Sequence, residues 1–242
     1  MLQARKMTNE QQGPTHRLLL QLDRAAALRA SAAENPPLET NRQRLRAWQA
    51  ARLARTHADL LASPRMGQAA SFFLSDLYGS EDLTALDANV RRIAPTLKRL
   101  LPAAGLEIVA EAVELEALSE DLDFAMATIL ASSDGKLTTA TYANAYREVC
   151  RRADRERQIF LIESVGRALD DLVRHPFIGT TLSMMRLPAQ IAGLSELQDF
   201  LQRGYKAFVK MGGADEFLNL VVTRERELLN ALLAGDDTLL GQ

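Results

Sequence analysis

Seven carboxylates fall between residues 104 and 132 with no basic residue among them: Glu107, Glu111, Glu114, Glu116, Glu120, Asp121 and Asp123. Glu107, Glu111 and Glu114 follow at spacings of four and three, with Asp121 seven residues on, so a helix would carry them on one face. Stacked carboxylates of this kind are the ligand type of di-metal helical bundles, which makes Glu107, Glu111 and Glu114 the candidate metal ligands. Such centres add a Glu-x-x-His motif from two helices, and no Glu in this chain has a His three residues later. The competing reading, and the preferred one, is a face turned to solvent or docked on arginine-rich neighbours such as residues 42–55. No cofactor follows from this pattern.

The other reactive residues are scattered. His16, His57 and His175 fall on different expected elements. His175 precedes a proline at a helix end, where an imidazolium is favoured by the helix dipole, so capping is its simplest role. Cys150 stands near Arg147, Arg151 and Arg152, which would lower a thiol pKa if exposed. It has no placed histidine partner, and a lone cysteine forms no internal disulfide. Asp170-Asp171 and Asp236-Asp237 lack the third carboxylate of a magnesium-binding DDxxD motif, and no phosphate-cradling glycine loop or GxSxG nucleophile turn occurs. Arginine outnumbers lysine 24 to 5. Arg42, Arg44, Arg46, Arg52 and Arg55 spread around their helix, however, and a net charge of −2 gives no general attraction for nucleic acid.

The aromatics concentrate instead. FFLSDLYG, residues 72–79, holds two of the eight phenylalanines and one of the four tyrosines. At helical spacing Phe72, Phe73, Leu74 and Leu77 would plug a core while Tyr78 hydrogen-bonds at the helix end; alternatively they line a groove for a partner helix or apolar ligand. Tyr142, Tyr146 and Arg147 form a second cluster with the same two readings. The segment resembles the name-giving motif of the bacterial FFLEELY-motif proteins, with Ser75 and Asp76 where that motif has two glutamates. The resemblance extends to YANAYR (142–147), LVRHP (172–176) and RLPAQIAGL (186–194). It implies a helical fold and no assigned reaction.

The elements that must position these residues are helices. Leu (40) and Ala (37) far outnumber Val (9) and Ile (7), a ratio that suits helices and not strands. Apolar period predicts helices over 15–33, 39–62, 66–78, 81–101, 104–132, 139–150, 154–175, 195–211 and 215–233, with two short pieces between Pro176 and Gly193. Proline steps at NPPL (35–38), Ser63-Pro64, Pro102 and His175-Pro176 punctuate them. Gly79 is expected to close its helix, and Ser80, Thr138 or Thr139, Asp154, and Ser195 with Gln198 are expected to cap the next ones.

The fold expected is all-α, a single multi-helix, bundle-like domain of about eight to ten helices over 14–234. A mobile tail (1–13) precedes it, a frayed end (235–242) follows, and a seam is possible near 102–105. No apolar run approaches the ~20 residues of a membrane span, and the first residues lack the apolar core of a secretory signal. A soluble, cytoplasmic protein is expected, and the resemblance implies a bacterial one. The function read is non-catalytic binding or protein interaction, with a protein partner or a second copy of the chain. The alternative is a helical enzyme, or a metal or apolar-ligand binder, using the acidic helix.

Overall fold

The computed structural model describes residues 13–73, 84–100, 103–131 and 136–241; the chain there is helix joined by short turns, with no strand among the described residues. In order the helices are α1 (Pro14–Ala33), α2 (Pro36–Thr56), α3 (Ala58–Ala62), α4 (Gly67–Phe72), α5 (Thr84–Leu100), α6 (Ala103–Ala131), α7 (Thr139–Val149), α8 (Arg152–Arg174), α9 (Ile178–Met184), α10 (Arg186–Ile191), α11 (Ser195–Met211) and α12 (Asp215–Ala234), followed by a 3-10 turn at Thr238–Leu240. The all-α class expected from composition is the class adopted. Leu74, Leu77, Tyr78, Gly79, Ser80, Pro102 and the tail at 1–12 lie outside the described residues.

Helix α6 is the axis of assembly. Leu106, Val113, Leu118, Leu122, Met126 and Leu130 are buried along it, and Ala110, Leu115, Ala117 and Ala127 bury the faces between. It is covered on several sides because α1, α2, α7 and α8 all pack on it. A second layer forms where α8 meets α11 and α12, with α4 seated on α11. A helix enclosed in this way carries its carboxylates inward with its leucines, and their charge must then be met inside the protein.

Among the described residues there are twelve α-helices, against the expected eight to ten, and local breaks add to the number. The helix expected over 39–62 is two, since the chain bends at His57 (φ −115°, ψ 25°). Arg224 of α12 holds that bend, donating from Nη1 to the Thr56 carbonyl at 3.1 Å and from both Nη atoms to Asp59 at 2.7 Å. Helix α2 also begins earlier than expected. Pro36 and Pro37 occupy its first turn, where a missing N–H costs nothing, and the Asn35 side chain accepts from the Leu38 N–H at 3.3 Å. NPPL therefore starts a helix as well as ending one.

The caps divide similarly. Thr138 forms a reciprocal box with Thr141 at the head of α7. The expected Ser195 box does not form: Leu194 is the N-cap, and the Gln198 amide instead donates to the Leu182 carbonyl at 2.5 Å. Asp154 sits in the first turn of α8 and accepts from Arg151, while Arg151 occupies the cap position. The segment expected to fray is anchored, with Leu240 buried against the α12 core and Asp237 paired to Arg147 at 2.6 Å.

Candidate functional site

The carboxylates of α6 meet arginines from three directions. Glu107 pairs with Arg17 of α1, Glu114 accepts twice from Arg157 of α8 at 2.7 and 2.8 Å, and Glu111 accepts from the Ser164 hydroxyl at 2.7 Å. The three candidate metal ligands are thus turned to different neighbours, and no group of three metal-ligating side chains occurs among the described residues. Asp121 bridges Arg24 and Arg151. Glu120, with 4 % of its side chain exposed, takes Arg42 at 2.8 Å and Arg46 at 3.0 Å from α2. Glu116 takes Arg29 at 2.6 Å, and Arg29 also pairs with Asp87. Burial raises the Glu116 carboxyl to about 7, the nearby Asp87 and Glu120 charges adding to it and Arg29 offsetting only part.

Above this network a cavity of about 580 Å³ opens between α1, α2 and α5. Helix α1 lines it with Leu22, Ala26, Arg29, Ala30 and Ala33, α2 with Glu39, Arg42, Gln43 and Arg46, and α5 with Asp87, Ala88 and Arg91.

A second polar group lies inside the domain, where α2, α6, α7, α8 and α12 converge. Trp48 and Tyr142 stack with ring centroids 4.0 Å apart, Tyr146 follows at 6.1 Å from Tyr142, and the Arg155 guanidinium lies 4.5 Å over the Tyr146 ring. Burial pushes the Tyr146 hydroxyl up to about 12. Asp123 faces the same space, its carboxyl raised to about 6 by burial despite Arg46 and Arg155 nearby. Glu225 of α12 takes Arg52 and the His57 Nε2 at 3.3 Å. Burial alone would raise the Glu225 carboxyl, but Arg52 and His57 more than offset it and hold it at about 2. With Arg224 Nη1 3.5 Å from Nδ1, the network assigns the His57 proton to Nε2, which donates to Glu225. The enclosed volume is about 60 Å³, room for about two waters at roughly 30 Å³ each and too little for a metabolite. Tyr142 and Tyr146 are therefore wall residues of a polar core. Arg147, their sequence neighbour, points elsewhere, to Asp237 and Asn144.

Phe72 and Phe73 are buried. Phe73 packs on Phe208 and Phe217 with centroids 6.3 and 5.4 Å apart, and Phe72 packs on Phe200 and against Gly204. Cys150 is exposed and closes α7 in the left-handed region (φ 42°), and His175 closes α8.

The largest exposed apolar side chains gather in one short stretch. Phe177 is 78 % exposed, Met184 74 %, Leu187 64 % and Ile191 80 %, and Met185 joins them. Helix α9 buries no residue fully, and α10 buries only Ala189. The stretch is still fixed to the domain: Gln198 holds the Leu182 carbonyl, and Gly179 lies so close to Tyr205 that a Cβ would sit 2.5 Å from its hydroxyl. Phe177 takes a left-handed conformation (φ 77°), which is strained for a bulky residue. Sequence periodicity finds these helices but not this face, because spacing alone cannot tell a covered apolar residue from an uncovered one.

Among known proteins, a family model described as Domain of unknown function (DUF8198) matches residues 28–239. No curated protein and no solved structure matches the chain.

Proposed function

The chain belongs to the DUF8198 family of domains of unknown function, and we propose that it is a non-catalytic interaction module that binds a protein partner through the α9–α10 face. The observation that carries this reading is the exposure of Phe177, Met184, Leu187 and Ile191 on elements held firmly to the domain. Charged residues are depleted and Met and aromatic residues enriched at the centres of protein interfaces. Between Pro176 and Ser195 the only charged side chain is Arg186, while Phe177, Met184 and Met185 are all present. An apolar face with this composition marks an interaction site more often than an ordinary surface. The strained Phe177 backbone supports the same reading, since strain persists where surrounding structure over-determines it and clusters at functional positions.

The other candidate roles have less support. The acidic helix has its carboxylates engaged by arginines and a serine, and the polar core around Glu225 encloses no space for a substrate. The resemblance to FFLEELY-motif proteins points to a bacterial cytoplasmic setting, and no helix among the described residues is long and apolar enough to cross a membrane.

The test is a pair of surface variants, Met184→Asp and Ile191→Asp. Both side chains are largely exposed, so each variant should keep the wild-type thermal midpoint while losing co-purification of the partner that the wild-type chain retains. Retention of the same partner by both folded variants would refute the assignment to this face.

A further inference from the structure

The cavity between α1, α2 and α5 shares no residue with the α9–α10 face, and its lining has a chemistry of its own. Its α1 side is made largely of small side chains, with Ala26, Ala30 and Ala33 leaving open the space that larger residues would fill and Arg29 set among them. Arg42 and Arg46 of α2 and Arg91 of α5 bring the lining to four guanidinium groups, beside the carboxylates Glu39 and Asp87. At about 580 Å³ it falls within the ~300–1,000 Å³ range of small-molecule sites.

The arginines are held from behind. Glu120 beneath the cavity fixes Arg42 and Arg46, and Glu116 with Asp87 fixes Arg29. Arg42 gives Nη1 to Glu120 at 2.8 Å and Nη2 to Glu39 at 3.1 Å. Each Nη carries two N–H groups, and each of these bonds uses one of them. Arg91 pairs with Asp23 at 2.7 Å, with side chains 43 % and 66 % exposed. Such exposed pairs contribute little, so Arg91 can exchange its partner for a bound oxyanion. A planar guanidinium matches the two oxygens of a carboxylate or phosphate, which selects an oxyanion over a neutral head group.

We infer that this cavity binds a small amphiphilic anion, with its carboxylate or phosphate head on Arg42 and Arg91 and its apolar body along the Ala26–Ala30–Ala33 wall of α1. The α1 alanines favour a ligand with an apolar body over a simple inorganic anion, and the guanidinium groups favour an oxyanion head over an ammonium one.

The test titrates the purified full chain calorimetrically with decanoate, decyl phosphate, inorganic phosphate and decylammonium. The expected result is one site per chain for at least one decyl anion, with the better head group identifying its source chemistry. Ala30→Leu, at an exposed helical position, fills the cavity without touching a charge and should weaken binding at least about tenfold, a scale set by ~1.4 kcal/mol. Arg91→Met should weaken the anions several-fold and leave the thermal midpoint unchanged. Four outcomes overturn the inference: no binding of either decyl anion at millimolar concentration, unchanged binding in folded Ala30→Leu, decylammonium binding as tightly as the anions, or inorganic phosphate binding as tightly as decyl phosphate.

Discussion

Two buried acids, Glu225 and Asp123, oppose each other in their effect on stability. Glu225 is held at about 2 in the folded chain, below its ordinary range, so its contribution is complete above about pH 4.5 and is lost as pH falls through about 2. Glu225→Gln leaves Arg52 without its countercharge. It should cost about 3 kcal/mol at pH 7, the scale of a broken buried pair, and flatten the acid limb of a denaturation series between about pH 4.5 and 2. Asp123 is raised to about 6, so the folded state binds its proton more tightly than the unfolded state, and stability falls as pH rises from about 4 to 6. Asp123→Asn removes that penalty. The variant should gain up to about 3 kcal/mol on wild type between pH 4 and pH 7, at ~1.36 kcal/mol per unit, as read by urea denaturation at both values. Neither role was legible in the sequence. His57 and Glu225 are 168 positions apart, and nothing in either neighbourhood points to the other. The pairing of the acidic helix with arginines 42 and 46 was legible, because seven carboxylates without a base need cations from elsewhere.

At the scale of elements, Phe72 and Phe73 of the FFLSDLYG segment act through packing. Phe72 meets the bare backbone of Gly204, where a Cβ would stand 2.9 Å from the ring Cζ. Gly204→Val should therefore destabilise by about 1–3 kcal/mol through overpacking, and Phe72→Ala by about 3–5 kcal/mol through the cavity left behind. Thermal unfolding of the two variants checks both. The apolar period found α6, α8, α11 and α12 to within about two residues at each end, because long amphipathic runs leave one strong signal. It missed the His57 bend. Residues 54–58 hold no proline or glycine, and the bend is held by Arg224 and Asp59 across the tertiary fold.

At the scale of the whole molecule, burial is uneven. Helices α1, α2, α7 and α8 pack around α6, while α9 and α10 present apolar side chains outward with a single charge among them. That contrast underlies the proposed interaction role, and the most direct measurement is site-specific photo-crosslinking. A benzophenone side chain replaces Ile191 in one chain and the exposed Arg226 of α12 in another, and both are irradiated in an extract of the native cells. The account predicts one discrete protein adduct at position 191, lost on addition of excess wild-type chain and absent at position 226. An equal pattern of adducts at the two positions, or none at 191, would contradict it.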